Sequence, residues 1–295
     1  MKTHNVPVPE FIIVVPTYNR ASLLPRLINS VLSQSYPKWT LLLNDDGGSD
    51  NTKEVVEHYS VNERRIRYYR MDQNSGVNAT RNRLIDIAQA MNPDSYLIFI
   101  DDDDYLTPNA LSTAAELINK QPGYSWYLLD CIYEDGKPET KIRTYGELSY
   151  LNDYMFGKSL RGDVTNIIKA KAIEQDRFTT HFRNAEEWYL WCHLSQRFNL
   201  FAENKPGSVK EYLPGGLSHS GMNRDKAIEV MKFKIDTLEP MVGRKRMLHQ
   251  YVTLAKHLLR DNQVAEAKKI LTLVFQCSPF YLRQYRHWLK VAIGL

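Results

Sequence analysis

Short apolar runs alternate with segments of helical periodicity through the first third of the chain, and this alternation most constrains the fold. Each run is rich in β-branched, aromatic or leucine residues and is closed by polar residues, which is typical of a buried strand. Strands that alternate with helices require crossover connections, so we predict an α/β fold with a mostly parallel sheet flanked by helices. The predicted strands are Phe11–Val15, Trp39–Leu43, Ile66–Tyr69 and Tyr96–Ile100, and the predicted helices between them are Leu23–Leu32, a segment from Asp50 to about Tyr59, and Ala79–Met91.

Polar clusters follow three of these strands at the point where each strand ends. They are Pro16–Arg20, Asn44–Asp50 and Asp101–Asp104. In an open parallel sheet, ligands bind at the carboxyl ends of the strands. We therefore expect the three clusters to form one site.

Four consecutive aspartates, Asp101–Asp104, repel one another, so a fold keeps them together only when their charge is compensated. Mn²⁺ or Mg²⁺ compensates it by binding one or two carboxylates together with phosphate oxygens. The alternative is an acidic turn that caps the next helix, because Thr107 and Pro108 resemble a helix start. The residues alone leave both interpretations open.

The pattern changes after about residue 121. Tyr124–Ile132 is aromatic-rich and is predicted as a further strand, and Glu186–Phe198 is predicted as a helix. Lys205–Asn223 is rich in Gly, Pro and Ser, which predicts a loop. The remaining pattern is helical, with a helical hairpin around Leu254–Phe275.

Positive charge is concentrated near the C-terminus. Residues 225–295 carry 13 Lys and Arg against 6 Asp and Glu, whereas the whole chain has a net charge of +4. We expect a first domain over residues 1–224 and a basic helical region over residues 225–295. Such a region suits anionic lipid or nucleic acid, although a solvated helical face is the commoner explanation. We expect no nucleic-acid partner.

Three features bear on the cellular compartment. No apolar run reaches the roughly 20 residues needed to span a bilayer. The short polar segment Met1–Glu10 lacks the apolar core of a signal peptide. The three cysteines have neither zinc-site spacing nor the density of a disulfide scaffold. We therefore expect a cytoplasmic protein with reduced thiols.

Five motifs together resemble a known family. Any one of them is common, but their order and spacing are similar to those of inverting family-2 glycosyltransferases with a GT-A fold, over roughly residues 8–200. The resemblance implies a nucleotide-sugar half over about residues 8–120 and an acceptor half over about residues 121–224. The motifs are Val15-Pro-Thr-Tyr-Asn-Arg20, Asn44-Asp-Asp-Gly-Gly-Ser-Asp50, Gly76–Arg81 with Asn82, Ile100-Asp-Asp-Asp-Asp104 and Glu186-Glu-Trp-Tyr-Leu-Trp191.

The resemblance places Asp46 at the nucleotide base, where a carboxylate can accept the N3–H of uracil, a donor that cytosine lacks. This favours a UDP-sugar and leaves dTDP- and GDP-sugars open. Asp45 and Asp46 have the alternative of an Asx turn before the next helix, more so for Asp45. The resemblance also assigns further residues to the nucleotide site: Pro16 and Tyr18 against the base, Arg20 in the same motif, Arg81 beside the nucleotide, Asp102 near the ribose, and Asp101 as the first acid of the aspartate motif.

The same resemblance identifies Asp103 as the position that binds Mn²⁺ or Mg²⁺, with Asp101 beside it. His219 is a further candidate ligand, although its loop departs from the family pattern and a loop histidine is usually solvated. Asp104 is expected to orient the loop or the following helix. For Arg81, the alternative is a surface arginine on a helix.

An inverting transfer needs a base that takes the proton of the acceptor hydroxyl. By position, Glu187 replaces the aspartate that the family uses, and its side chain is one methylene longer. Two alternatives remain: Glu186 is the base, or both acids only stabilise the helix N-terminus through its dipole.

The resemblance implies a metal-dependent transfer from a nucleotide sugar to a glycan or lipid-linked acceptor in surface polysaccharide synthesis. A sugar nucleotidyltransferase is the second hypothesis, although it needs a glycine-rich loop after the first strand. A non-catalytic nucleotide- or glycan-binding module is the third. The segment Phe280–Ile293 mixes aromatic and basic residues, which suggests a peripheral position on an anionic membrane surface or, equally, a helix packed on the catalytic domain.

Overall fold

The computed structural model describes residues 8–183, 186–211 and 224–281. The chain divides into two units, Met1–Leu213 and Pro214–Leu295. In the first unit, the described strands are β1 Phe11–Thr17, β2 Trp39–Asp45, β3 Ile66–Arg70, β4 Tyr96–Phe99, β5 Tyr105–Leu106, β6 Trp126–Tyr133, β7 Lys141–Ile142, β8 Gly146–Leu148, β9 Leu160–Arg161, β10 Val164–Lys169 and β11 Leu200–Lys210. Its described helices are α1 Leu24–Leu32, α2 Thr52–Ser60, α3 Val77–Met91, α4 Ala110–Lys120, α5 Ala170–Ile173 and α6 Trp188–Leu194, with a π-helix at Tyr150–Met155.

A nine-stranded sheet organises the described part of the first unit, with strand order β3-β2-β1-β4-β10-β6-β11-β5 and β8 beside β11, and β7 pairs with β9 in a separate two-stranded sheet. β1 pairs in parallel with both β2 and β4, and β2 with β3. Every residue of β1 and β2 is buried, as expected for strands covered by helices on both faces. The predicted α/β fold with flanking helices is confirmed.

The second half of the sheet mixes strand directions. β10 runs antiparallel to both β4 and β6, which makes β6 parallel to β4 and turns its carboxyl end to the same edge. β11 lies parallel to β6 and antiparallel to β5 and β8. The carboxyl ends of β1, β2, β4 and β6 therefore share one edge.

The predicted loop at Lys205–Asn223 is wrong at its start, because Lys205–Lys210 belongs to β11. Irregular pairing on either side of Pro206 accommodates the proline, as bulges do. A β-carbon on Gly207 would lie 2.8 Å from Cβ of Leu129, so only glycine fits this close approach. Pro and Gly therefore mark a bulge here.

The predicted helix at Glu186–Phe198 is also shorter than expected, since α6 spans only Trp188–Leu194. Its indole rings pack inward: Trp191 lies 5.4 Å from the ring of Phe99 and 5.2 Å from that of Phe178, centroid to centroid. Aromatic packing on β4 fixes α6 more than helix propensity does.

The second unit contains α7 Arg224–Val242, α8 Arg244–Arg260 and α9 Val264–Cys277. The predicted hairpin around Leu254–Phe275 corresponds to α8 and α9, which pack through apolar faces that include Leu258 and Leu271. Among the described residues, no helix is both long and apolar enough to cross a membrane.

Candidate active site

The three predicted polar clusters lie together at the carboxyl edge of the sheet. The backbone N–H of Asp46 donates to the carbonyl of Thr17 at 2.8 Å, which joins the ends of β2 and β1. Asn19 Oδ1 accepts the N–H of Ser49 at 2.7 Å, and Asp50 Oδ2 accepts the N–H of Ala21 at 2.9 Å. Reciprocal side-chain-to-backbone bonds thus hold the first two clusters as one surface.

Asp45 is buried beneath this surface. Its Oδ1 accepts the N–H of Gly48 at 2.7 Å, which is the Asx turn that the sequence left open. Its Oδ2 accepts the hydroxyl of Tyr68 at 2.9 Å and lies 3.3 Å from Arg70 Nη1. Burial, together with the bond to Asp45, raises the pKa of Tyr68 to about 12. Asp45 therefore has a structural role, because its buried carboxylate stabilises the loop that follows β2.

Asp46 holds the turn that leads into α3. Its two oxygens accept the N–H groups of Ser75 and Gly76, each at 2.8 Å, and the residue is only 4% exposed. A uracil N3–H would therefore have to share an oxygen that already accepts one bond. The role of Asp46 at the base stays a prediction, and its role in the turn is a finding that the sequence did not indicate.

Tyr18 and Pro16 differ in accessibility, although the resemblance assigned both to the base. Tyr18 is 44% exposed, so its ring is open to a ligand, whereas Pro16 is buried in β1. His219 lies outside the described residues, so its assignment as a metal ligand stays a prediction.

The aspartate run forms a turn that gathers three carboxylates. The N–H of Asp104 donates to the carbonyl of Asp101 at 3.1 Å, which brings the first and fourth residues of the run to one side. Carboxylate oxygens of Asp101, Asp103 and Asp104 all lie within 4.8 Å of one another. Asp104 was expected only to orient the loop, yet it joins this group as well as accepting the N–H of Glu211 at 3.2 Å.

The turn formed by the four aspartates concentrates negative charge, which positive charge nearby would stabilise. Burial raises the pKa of Asp102 to about 7, and burial with the neighbouring Asp101 raises the pKa of Asp104 to about 8. Arg20 Nη1 lies 2.7 Å from Asp103 Oδ2 and 3.2 Å from Asp102 Oδ1, so one guanidinium compensates part of the charge. Clustered carboxylate oxygens of this kind fit a hard cation such as Mn²⁺ or Mg²⁺.

Arg81 connects this turn to the proposed base. From α3, its Nη2 donates to Asp101 Oδ1 at 2.5 Å and its Nη1 to Glu187 Oε1 at 2.6 Å. Burial disfavours the charged guanidinium and so lowers the pKa of Arg81. The two neighbouring carboxylates outweigh this effect, and the pKa is raised. Arg81 is only 6% exposed, so the alternative of a surface arginine is wrong.

Two asparagines of the motif around Arg81, for which the sequence predicted no individual role, hold the approach to α6. Asn78 Nδ2 donates to the carbonyl of Thr179 at 2.8 Å, and Asn82 bonds both the N–H and the carbonyl of Phe178 at 2.8 Å. The two residues flank Arg81 at helical spacing, which is the signal that could have identified them. They place Phe178 beneath α6, whose N-cap is Glu187.

The two candidate bases are in different environments. The Glu187 side chain is 44% exposed, and within the described part of the chain its carboxylate bonds the guanidinium of Arg81. Glu186 adopts a left-handed backbone with φ of 64°, which is strained for a non-glycine residue, and its Oε2 accepts the indole N–H of Trp188. Glu187 is thus the acid that an acceptor can reach with less rearrangement.

Comparison with known sequences identifies one family. Residues 12–178 match the sequence profile described as Glycosyl transferase family 2. A curated relative from Campylobacter jejuni, GalNAc(5)-diNAcBac-PP-undecaprenol beta-1,3-glucosyltransferase, is 31% identical over 201 residues, which cover 65% of this chain and 62% of the relative. The matched region is therefore less than two thirds of that relative's length.

Two solved structures share the fold. The S. aureus TarS 1–349 complex with UDP-GlcNAc has a TM-score of 0.66 at 21% identity, covering 85% of this chain and 72% of TarS 1–349. The mannosyltransferase PcManGT from Pyrobaculum calidifontis, in complex with GDP-Man and Mn²⁺, has a TM-score of 0.56 at 14% identity, covering 97% and 84%. At these identities the likeness is evidence of the fold alone.

Proposed function

The chain belongs to glycosyltransferase family 2, and on that premise we propose that it transfers a sugar from a nucleotide donor to a glycan or lipid-linked acceptor. The C. jejuni relative is named for glucosyl transfer in a polyprenol-diphosphate-linked glycan, which supports an acceptor of this class in surface polysaccharide synthesis. The observation that carries the proposal is the position of Arg81, which hydrogen-bonds both a carboxylate of the acidic turn and Glu187.

A UDP-sugar is the proposed donor. Tyr18 offers an exposed ring for the base, and Asp46 offers carboxylate lone pairs at the same sheet edge. TarS binds UDP-GlcNAc, whereas PcManGT binds GDP-Man, so the shared fold accommodates either base. The preference for uracil thus rests on Asp46.

We assign the divalent cation to Asp101, Asp103 and Asp104. Their oxygens form a compact hard-donor set that would hold a Mn²⁺ or Mg²⁺ ion beside the diphosphate of the donor. A bound cation would neutralise the charge that develops on the departing diphosphate. Arg81 would hold Asp101 in place while this happens.

Glu187 is the proposed general base. An acceptor hydroxyl oxygen attacks the anomeric carbon as the bond from that carbon to the diphosphate oxygen breaks, and the hydroxyl proton passes to the Glu187 carboxylate. Attack from the face opposite the diphosphate inverts the anomeric configuration. Arg81 would orient this carboxylate before the proton arrives.

The test is acceptor-free hydrolysis of UDP-, dTDP- and GDP-sugars with Mn²⁺ or Mg²⁺. We expect release of UDP from at least one UDP-sugar, a loss of about 10²–10³-fold in Asp103→Asn, and loss of activity with a chelator. Asp94→Asn is the matched control, because Asp94 lies before β4 at the opposite edge and pairs with Lys171. Absence of binding and cleavage for every nucleotide sugar would overturn the proposal.

We also propose that the protein works peripherally at the inner face of a membrane. The support is the basic composition of 225–295 and the polyprenol-linked substrate in the name of the C. jejuni relative. Most of Phe280–Ile293 lies outside the described residues. Co-sedimentation with anionic vesicles should fall when Arg283, Arg286 and Lys290 are replaced by glutamate, and unchanged co-sedimentation would contradict this role.

A further inference from the structure

A π-helix lies beside α6, at Tyr150–Met155. Single π-turns are rare and are frequent at functional sites. Its N-cap is Ser149, whose hydroxyl accepts the N–H of Asn152 at 3.3 Å, while Asp153 Oδ2 accepts the N–H of Ser149 at 2.8 Å. These reciprocal bonds fix the first turn of the π-helix.

Ser195 attaches the π-helix to α6. Its hydroxyl accepts the N–H of Leu151 at 3.1 Å and lies 3.2 Å from the hydroxyl of Ser149. Ser195 is the C-cap of α6, and Glu187 is the N-cap of the same helix. The π-helix and the proposed base are therefore held by one rigid element.

Three aromatic rings form a stack that begins in the sheet and ends at the π-helix. Trp126 of β6 is fully buried, and its indole N–H donates to Asn166 Oδ1 at 2.9 Å. Tyr150 stacks on it with centroids 5.7 Å apart and an interplanar angle of 27°, and Tyr154 stacks on Tyr150 at 4.7 Å and 18°. The first two rings are buried, so stacking on them orients the plane of the third.

Tyr154 ends the stack. It is half-buried, and among the described residues its ring contacts the ring of Tyr150 and no other. Burial, with Glu187 nearby, raises the pKa of Tyr154, and the pKa of Tyr150 also rises for reasons that include burial and Glu187. The stack also packs on α6 within one turn of the proposed base, since the ring centroid of Trp126 lies 5.7 Å from that of Trp191, whose backbone N–H donates to the Glu187 carbonyl at 3.4 Å.

We propose that Tyr154 is the platform on which the sugar at the reacting end of the acceptor stacks, and that it sets the distance from that sugar to Glu187. A pyranose whose ring hydrogens form one apolar face is the ligand class that such a ring would bury. The tyrosine hydroxyl can bond a sugar hydroxyl at the rim of the same face. This inference rests on the proposed transferase function and adds the acceptor side of the site.

Binding can be tested without turnover. Octyl β-glycosides of glucose, galactose, GlcNAc and GalNAc serve as probes, with saturation-transfer NMR on the protein in the presence of UDP and Mg²⁺, which is diamagnetic and does not broaden the probe signals. We expect at least one probe to bind the wild type, Tyr154→Ala to weaken it about tenfold, and Tyr154→Phe to retain most of the affinity. Tyr18→Ala is the contrasting variant, since it should weaken UDP and leave glycoside binding at saturating UDP unchanged.

Three results would overturn the platform: no probe binds the wild type, Tyr154→Ala binds the probes as the wild type does, or Tyr154→Ala loses UDP affinity to the same extent. Thermal unfolding of each variant separates loss of binding from loss of fold. Failure of the transferase function would appear separately, as absence of UDP-sugar cleavage by the wild type.

Discussion

Arg81 Nη1 donates a 2.6 Å hydrogen bond to Oε1 of Glu187. The guanidinium is buried and its other nitrogen bonds Asp101, so it connects the acidic turn after β4 with the start of α6. A planar fork can bond two carboxylates at once, which an ammonium group cannot do in the same geometry. The distance between the proposed metal turn and the proposed base is therefore set by one side chain.

Replacing Glu187 by glutamine should abolish most transfer while leaving nucleotide binding intact. The amide keeps the shape but cannot take the hydroxyl proton, so we expect kcat to fall about 10²–10⁴-fold. In Glu186→Gln the amide oxygen can still accept the Trp188 indole N–H, so kcat should change less than about tenfold. Transfer kinetics and UDP titration check both variants, and the reverse order of effects would identify Glu186 as the base.

Arg81 and Glu187 should behave as an energetically coupled pair. Arg81→Met leaves Asp101 and Glu187 without their shared cation, yet both carboxylates are partly exposed, so water screens much of the loss. We expect each single variant to lower stability and the double variant Arg81→Met/Glu187→Gln to be non-additive by about 0.5–2 kcal/mol. Urea unfolding of the four proteins gives this coupling, and additive effects would show that the pair contributes nothing together.

Removing the guanidinium of Arg20 should tighten Mn²⁺ binding. Arg20 bonds Asp103, the carboxylate assigned to the cation, and its positive charge opposes a second cation nearby. We expect Arg20→Met to bind Mn²⁺ about tenfold more tightly, as measured from the EPR signal of free Mn²⁺. Arg65→Met is the control, since Arg65 pairs with Glu63 and stacks on Trp39 at the other end of the sheet. Weaker binding in Arg20→Met would instead make Arg20 a residue that orients the ligands.

The buried cysteines should resist thiol reagents in the native protein. Cys131 and Cys192 are buried, and burial raises the pKa of Cys131 to about 11. A raised pKa leaves the thiol protonated, so at pH 8 only about one Cys131 in a thousand is the reactive thiolate. Cys277 is partly exposed, so we expect one fast thiol in the native protein and three after denaturation. Fast modification of Cys131 would contradict its burial.

The strands and their end clusters could be predicted because the signals are local. Phe11–Val15 is a continuous apolar run, and a parallel sheet brings the carboxyl ends of neighbouring strands together whatever the connections contain. The end of β11 could not be predicted, since Pro206 and Gly207 favour a loop locally. Pairing of Ser208 with Leu106 and the 2.7 Å contact of its hydroxyl with Thr165 come from distant segments and override that preference.

The separate roles of the four aspartates in Asp101–Asp104 could not be predicted from the sequence either. Four identical residues give no local signal of which carboxylates converge, and only the turn from Asp101 to Asp104 decides it. Asp46 presents the same difficulty, because its bonds to Ser75 and Gly76 join segments about thirty positions apart. Residue type and spacing could therefore predict where the site is. They could not predict which of its acids accept backbone N–H groups and which face a ligand.

Gly76→Ala should damage the site far more than the same change at another left-handed glycine. Gly76 has φ of 94° and ψ of 154°, a region that is essentially restricted to glycine, and a β-carbon there would lie 2.4 Å from the carbonyl oxygen of Arg183. We expect a loss of about 2–4 kcal/mol in stability, with weaker UDP binding because the turn held by Asp46 must shift.

Gly136 is the matched control for this prediction, since its φ is 78° and no atom lies within 4 Å of an added β-carbon. Gly136→Ala should therefore lower stability by only about 1 kcal/mol, the cost of a non-glycine residue at positive φ, and leave UDP binding unchanged. Chemical unfolding and UDP titration of both variants provide the comparison. Equal losses at the two glycines would mean that the close approach to Arg183 is relieved without moving Asp46, and that the turn before α3 does not position the nucleotide site.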